Sequence, residues 1–284
     1  MLRLYFGIVF ICLFLLQCDR IKGPFVEVQE AIDTTWKPVF PERTNPVQKV
    51  LLEDFTGHQC GNCVNAHEEA LNIYNQYPGR VFLLSEHVGY FAEVRTSGNK
   101  YTYDFRTTVG NEIDNEFGAS AAGLPKGMIN RTSYNNSKIH DKNVWNTLVS
   151  QVLQKTIQAD IQILYKWDSN KEKLNVAVQT KNIQLDANAN YKLFVYLVED
   201  SIINWQKDYS RNPQDIPDYA HRHVLRASFN GTWGENVIWN NQIFEKKYAI
   251  SISNFYQKDK LYVIAALYDN ATKEIIQVEE IKVF

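Results

Sequence analysis

The sequence predicts a mixed α/β domain followed by an all-β domain built as an antiparallel sandwich. An apolar run at 50–52, a Cys-x-x-Cys motif at 60–63 and an amphipathic stretch at 64–77 predict a strand, a turn and a helix in succession. From residue 159 the apolar residues recur at every second position, which is typical of half-buried strands. Several such runs follow without a helical pattern, so the second domain is predicted to be all β.

Length and composition fit two folded domains. The chain has 284 residues, and a 45% share of hydrophobic residues can fill both cores. The formal net charge of −2 gives no electrostatic reason to expect nucleic acid as a partner. The sequence has no phosphate-binding glycine loop and no Ser/His/Asp signature, and no cofactor is predicted. We predict four segments: a leader at 1–17, a proline-containing tether at 18–46, the α/β domain at 47–157 and the β domain at 158–284.

The first domain is predicted to continue with further strands and helices. Residues 81–84 form an apolar run typical of a buried strand. Apolar residues at every fourth position before Gly118 predict a helix that ends at this glycine. Asp141 is predicted to cap the last helix of the domain. The aromatic-rich stretch 87–105 is either an insertion near the Cys-x-x-Cys motif or a surface flap packed by its own aromatic residues.

Seven strands are predicted in the second domain, and turns separate them. This pattern favours an antiparallel sandwich of the immunoglobulin-like kind. The connection 201–220 is unusually long, and it is either a functional loop or an aromatic strap over an open sheet edge. The predicted strands lie at 159–167, 174–178, 191–198, 223–229, 247–252, 261–268 and 275–283.

The Cys-x-x-Cys motif carries the strongest chemical signal in the chain. Cys60 lies at the predicted start of a helix, where unpaired N–H groups and the helix dipole favour thiolate over thiol. Cys60, with little chain in front of it, is therefore predicted to attack, and Cys63, one turn further in, to resolve the mixed disulfide. A static disulfide between the two cysteines is the alternative. A zinc site is another, with His58, Cys60, Cys63 and His67 as ligands.

Two acidic residues precede the motif on the predicted strand. Asp54 is expected to be buried, where an unpaired carboxylate is costly, and to accept a proton from Cys63 during resolution. A carboxylate that reaches solvent at the strand end is the alternative. Glu53 is predicted to point to the opposite side of the sheet. Further along, His221 and His223 are predicted to share a strand face, as surface or core-edge residues rather than metal ligands.

The motif and its surroundings resemble the thioredoxin superfamily. In that superfamily an Asp-Phe pair precedes the first cysteine by six and five residues, as the pair at 54–55 does here. The run 118–125 resembles the superfamily's cis-proline loop, which implies that Pro125 lies beside the dithiol and closes a groove for an extended peptide. An ordinary turn proline is the alternative. Gly61-Asn62 stands where thioredoxins have Gly-Pro, so the resemblance implies neither redox potential nor partner choice.

The start of the chain resembles a bacterial lipoprotein leader. The apolar run at 4–16 is typical of a secretion signal, and residues 15–18 resemble a lipobox, which implies that Cys18 is lipidated. Together with the sequence at 53–58, these residues resemble the 28-kilodalton outer-membrane lipoprotein family of Bacteroidetes bacteria. The resemblance implies a location in the cell envelope, at the outer membrane, on its periplasmic or its surface side.

Two functions are predicted for such a protein. The first is thiol–disulfide exchange on exported proteins through the dithiol at 60–63, at a membrane to which a lipid anchor holds the chain. The second is an outer-membrane surface binding protein or adhesin whose thioredoxin-like domain is a structural platform with a static disulfide. The first is preferred because Asp54, the dithiol and Pro125 occur together, and a platform does not require that set.

Overall fold

The computed structural model describes residues 31–186 and 188–284, so the predictions for the leader and for Cys18 lie outside the described residues. Within them, three α-helices are α1 (Cys63–Gln76), α2 (Thr108–Phe117) and α3 (Trp145–Leu153). The first strands are β1 (Val50–Thr56), β2 (Val81–His87) and β3 (Lys126–Ile129). The later strands are β4 (Ala159–Asp168), β5 (Lys173–Asn182), β6 (Tyr191–Glu199), β7 (Ile202–Lys207), β8 (Asp215–His221), β9 (Val224–Ser228), β10 (Glu235–Asn236), β11 (Ile243–Ser251), β12 (Leu261–Asp269) and β13 (Ile275–Lys282).

An eight-stranded sheet runs through the molecule in the order β13-β12-β6-β9-β2-β1-β3, and β10 pairs with β6 at its side. β1 is parallel to β2 and antiparallel to β3. β2 meets β9 in parallel at a single pair, Ser85 and Val224, and the other neighbours are antiparallel. The strand that leads into the Cys-x-x-Cys motif is therefore held on both sides.

β1 is buried along its whole length, because helices cover both faces of the sheet around it. Leu51 and Phe55 share a core with α2 and with residues of β6 and β12. Val50 and Leu52 point the other way, into a core formed with α1 and α3. The alternation of faces along β1 thus places successive residues in two different cores.

A second sheet, in the order β11-β5-β4, packs against the far half of the large sheet. Its strands are antiparallel, and their inward residues meet those of β6 and β12 in one apolar core. Each of the seven predicted runs overlaps one of the strands β4, β5, β6, β9, β11, β12 and β13, so the predicted strands are confirmed, and the runs at 223–229, 247–252 and 275–283 extend one residue past a strand end. The core is formed by residues that include Ile161, Ile163, Val176, Val178, Leu193, Val195, Val263 and Ala265.

The large sheet crosses the predicted domain boundary at residue 157. Strands from both predicted domains lie in it, and β2 and β9 join the two halves. One apolar core also contains residues of both halves, since Phe194 and Tyr196 share it with Leu51 and Phe55. The protein is thus a mixed α/β structure made mostly of sheets. The division into two separate folding units stays a prediction.

The long connection predicted at 201–220 is a β-hairpin. Its strands β7 and β8 are antiparallel and form a two-stranded sheet of their own. The prediction of a connection without strands is therefore wrong. Polar and apolar residues do not alternate cleanly along either strand, so the sequence has no period-two pattern that would predict them.

Three local predictions have different outcomes. Gly118 ends α2 with φ 73°, and its N–H bonds to the carbonyl of Asp114, so the predicted helix end is confirmed. Asp141 makes no capping hydrogen bond, because its carboxylate pairs with Lys126, and that prediction is wrong. The part of the predicted tether that is described, 31–46, packs on the second sheet, where Arg43 bonds to Asp160.

Among the described helices, none has the length and apolar character needed to cross a membrane.

Candidate active site

The Cys60–Cys63 pair closes the turn between β1 and α1. The Cys60 N–H bonds to the carbonyl of Gly57 at 2.9 Å, and the Cys63 N–H bonds to the carbonyl of Cys60 at 3.2 Å. The two sulfurs form a disulfide, with their Cα atoms 5.4 Å apart. Both cysteines are buried, with 3% of Cys60 and 1% of Cys63 exposed. The prediction that Cys60 has little chain in front of it is therefore wrong, because two other segments cover the turn.

The β7–β8 hairpin forms the first cover. The Lys207 N–H bonds to the carbonyl of His58 at 2.8 Å, and the Tyr209 N–H bonds to the carbonyl of Gly61 at 3.0 Å. The side chain of Gln206 is buried and donates to the carbonyl of Cys60 at 3.1 Å. A Cβ atom on Gly61 would overlap the ring of Tyr209, so a residue without a side chain is needed there. The hairpin is thus fixed to the dithiol turn by its backbone and by one buried amide.

The stretch 87–105 forms the second cover. The Gln59 N–H bonds to the carbonyl of Phe91 at 3.0 Å, and the carbonyl of Glu93 lies 3.0 Å from His58 Nε2. Of the two alternatives left by the sequence, an insertion near the motif is therefore the one found. The two covers are also joined to each other, since Lys100 pairs with Asp215 of the hairpin at 2.8 Å. Lys100, followed by Lys207, holds the pKa of Asp215 below its usual value.

Asp54 lies on the α1 side of β1 and is fully buried. Its Oδ2 atom is 3.0 Å from Nδ1 of His67, a residue of α1 that is also buried. Among the described residues, neither Asp54 Oδ1 nor His67 Nε2 has a hydrogen-bond partner. The prediction that Asp54 is buried is confirmed, and the alternative of a solvated carboxylate is wrong. Because Asp54 holds His67 and the cysteines are joined, the zinc ligand set of the sequence analysis is not assembled.

A small cavity lies beside Cys63. About 10 Å³ is open to the centre of a water-sized sphere, which is roughly the space of one water molecule. Cys63 and His67 of α1 line it together with Ser85 and His87 of β2 and residues of β8. The hairpin therefore closes over the cavity as well as over the disulfide.

His87 and His221, two of the histidines that line the cavity, are uncharged at neutral pH. His87 Nε2 and His221 Nδ1 are 3.3 Å apart, and both residues are buried. Burial lowers the pKa of His221 to about 3, and burial followed by the charge of His221 lowers the pKa of His87 well below its usual value. His223 does not share a strand face with His221, because β8 ends at His221 and His223 has φ 52°. The prediction that His221 and His223 share a strand face is therefore wrong.

Glu53 points away from the dithiol, as predicted. Its carboxylate makes a two-pronged ion pair with Arg131, with N–O distances of 2.6 Å and 3.0 Å, and both side chains are fully buried. The Arg131 guanidinium also lies near three aromatic rings, those of Phe117, Phe194 and Trp233, at 5.2 to 5.9 Å from the ring centres. Glu53 is therefore part of the core on the α2 side and not of the site.

Pro125 lies at the same end of the sheet as the dithiol. The Leu124–Pro125 bond is cis, and the resemblance of this loop to that of the thioredoxin superfamily stays a prediction. β3 follows directly, and its first residue Lys126 pairs with Phe55 near the end of β1. The structure thus brings Cys60, Cys63, Asp54 and Pro125 to one end of the sheet. The sequence did not predict that Gln206 and His87 lie at the site. The position of His67 beside Cys63 could have been predicted, because residues four apart in a helix lie on the same face.

These features define a class of protein: a mixed α/β chain with a Cys-x-x-Cys disulfide at the start of a helix and a buried carboxylate–imidazole pair beside it. The chain belongs to the family described as outer membrane protein Omp28, which its residues 110–284 match, well over half of its 284 residues. This membership confirms the predicted family and the outer-membrane localisation. The matched region begins after the Cys-x-x-Cys motif, so the family match does not include the dithiol.

The solved structures that are similar to this chain include two from Porphyromonas gingivalis. HBP35 of Porphyromonas gingivalis has a TM-score of 0.60 at 14% identity, over 85% of this chain and 77% of that one, which indicates a shared fold. A domain of the outer membrane lipoprotein Omp28 from Porphyromonas gingivalis has a TM-score of 0.32 at 20% identity, over 45% of this chain and 90% of that one. Among curated proteins, none matches this chain.

Proposed function

We propose that the protein carries out thiol–disulfide exchange on exported proteins at the outer membrane, through Cys60 and Cys63. In this proposal the β1–α1–β2 unit, with β3 antiparallel to β1, is a thioredoxin-like arrangement, and the dithiol turn lies at its active end. Cys60 attacks the partner and Cys63 resolves the mixed disulfide. Pro125 borders the place where an extended partner chain would lie.

The observation that carries the proposal is the buried Asp54–His67 pair beside Cys63. Burial of a carboxylate and an imidazole with unpaired polar atoms costs free energy. A static disulfide does not titrate and needs no such pair next to it. A cysteine that must lose and regain a proton during exchange does benefit from one.

A second candidate is an outer-membrane binding protein whose disulfide is static. The burial of both cysteines favours it, because an attacking thiol must reach its partner. The exchange proposal therefore includes movement of the β7–β8 hairpin, which exposes Cys60. It also includes lipidation of Cys18, which mass spectrometry of the mature N-terminus would test.

Trapping of partners tests the exchange function. Replacement of Cys63 by Ser leaves the attacking thiol and removes the resolving one, so reductant-sensitive adducts with exported proteins are expected to accumulate. Replacement of Cys60 by Ser is the matched control and is expected to trap almost nothing. The adducts would be separated on non-reducing gels and identified by mass spectrometry. Equal trapping would contradict the roles of the two cysteines, and no trapping by either variant would favour the binding protein.

A further inference from the structure

We propose that His67 is the catalytic base that takes the proton from Cys63 during resolution and returns it to the departing thiol. This inference rests on the proposed exchange function. Asp54 is then a positioning residue, which holds the imidazole and stabilises its charged form.

The geometry around His67 is that of an activated nucleophile and its base. His67 lies four residues after Cys63 in α1, so the two side chains are one helical turn apart on the same face. Both line the same small cavity. Asp54 Oδ2 lies 3.0 Å from Nδ1, which fixes the tautomer that carries its proton on Nδ1 and leaves Nε2 as an acceptor. Nε2 is buried and, among the described residues, has no hydrogen-bond partner.

The neighbouring histidines have no carboxylate partner, although Nδ1 of His87, like Nε2 of His67, is buried and has no hydrogen-bond partner among the described residues. His87 and His221 lie within 3.3 Å of each other through their ring nitrogens, and His221 Nε2 also lies 3.3 Å from the carbonyl of Trp205. Asp54 itself has one oxygen committed to His67. His67 is therefore the histidine at the cavity whose ring is held by a carboxylate and which lies one helical turn from Cys63.

In the direction that reduces the partner, resolution begins from a mixed disulfide and ends with a partner thiol. After attack by Cys60, the partner is held through a disulfide between Cys60 and one partner sulfur. The Cys63 thiol gives its proton to Nε2 of His67, and the Cys63 sulfur forms a bond to the Cys60 sulfur. The bond from Cys60 to the partner breaks, and the partner sulfur leaves with the electron pair. His67 then returns the proton to that sulfur, so a partner thiol is released and the Cys60–Cys63 disulfide remains.

Ellman-type chemistry separates the two halves of this reaction. The reduced mature protein, without the leader and with Cys18 lipidated, would be mixed with dithiobis-nitrobenzoate, and release of coloured thiolate would be followed by stopped flow. The first release depends on reagent concentration and reports attack by Cys60, whereas the second is intramolecular and reports attack by Cys63. The aromatic thiolate leaves without a proton, so the second phase depends on deprotonation of Cys63.

His67→Gln is the test variant, because glutamine can still donate to Asp54 but does not accept a proton. It is expected to leave the first phase unchanged and to slow the second by about 100-fold, the usual contribution of a general base. His140→Gln is the matched control, since both histidines are 6% exposed and His140 does not line the cavity. It is expected to change neither phase.

A measurement on the unaltered protein keeps the proposal testable if His67→Gln does not fold. The pH at which the second phase loses half of its rate should coincide with the midpoint of the His67 titration followed by NMR. Other groups close to His67 also contribute to the pH profile of the second phase. Asp54 of β1 contacts His67 directly, and Cys63 of α1, His87 of β2, and Tyr219, His221 and Arg222 at β8 line the cavity with it.

The outcomes separate the two proposals. Absence of the first phase in the unaltered protein would overturn the exchange function itself. A normal first phase with an unchanged second phase in His67→Gln would overturn only the role of His67, and so would a mismatch between the two pH midpoints.

Discussion

Glu53 and Asp54 are adjacent and fully buried, yet they enter different environments because successive residues of a strand face opposite sides. Asp54 meets the imidazole of His67, and its other oxygen has no hydrogen-bond partner among the described residues. Glu53 meets a guanidinium that satisfies both of its oxygens. Burial, followed by the charge of Glu53, raises the pKa of the neighbouring Glu86 well above its usual value. The α2 side therefore depends on Arg131 for its charge balance.

Replacement of Arg131 by Met should lower the free energy of unfolding by about 3 to 5 kcal/mol, because it leaves a buried carboxylate without its partner. Urea unfolding at neutral pH would measure the change. Arg106→Met is the matched control: its pair with Asp104 is about a third exposed, and its loss should cost less than about 1 kcal/mol. A change below 1 kcal/mol for Arg131→Met would contradict the structural role given to this pair.

At the scale of elements, the β7–β8 hairpin determines access to the dithiol. It contributes two backbone hydrogen bonds and one buried amide to the turn, and Tyr209 lies on Gly61. Disulfide exchange requires these contacts to open, so their strength should set the rate at which a thiol reaches Cys60.

Replacement of Gln206 by Ala should raise the rate of reduction of the disulfide by dithiothreitol about tenfold, because the closed form then loses the hydrogen bond from the buried amide to the carbonyl of Cys60. Gln214→Ala is the matched control, since Gln214 is exposed on the same hairpin. Timed alkylation and mass analysis would give both rates. Equal rates in the unaltered protein and in Gln206→Ala would show that the hairpin does not gate the site.

The parts of the site that the sequence predicts are those made by local chain. Strand β1, the motif at 60–63 and helix α1 are contiguous, so periodicity and spacing suffice to place Cys60, Cys63 and Asp54. The hairpin meets the same turn from about 150 residues further along the chain, and no local pattern encodes that contact. The pairing of Glu53 with Arg131 was missed for the same reason.

At the scale of the whole molecule, one sheet joins the dithiol half to the β half. The strands of both halves could be predicted because their periodicity is local, whereas the single parallel contact between β2 and β9 could not. The family match covers residues 110–284 and gives the outer-membrane location. The dithiol lies before this region, where β1 leads into α1. The chain is therefore an outer-membrane protein in which the strand that leads to the dithiol lies in the same sheet as strands of the β half.

The reduction potential of the Cys60–Cys63 disulfide in the mature protein tests this account most directly. The protein would be equilibrated in thiol–disulfide buffers, alkylated, and analysed by mass for the reduced and oxidised fractions. A protein that exchanges disulfides with exported partners should have a potential between about −270 and −120 mV, the range of known exchange proteins. A potential below about −300 mV, typical of structural disulfides, would contradict the exchange function and favour the static disulfide of a binding protein.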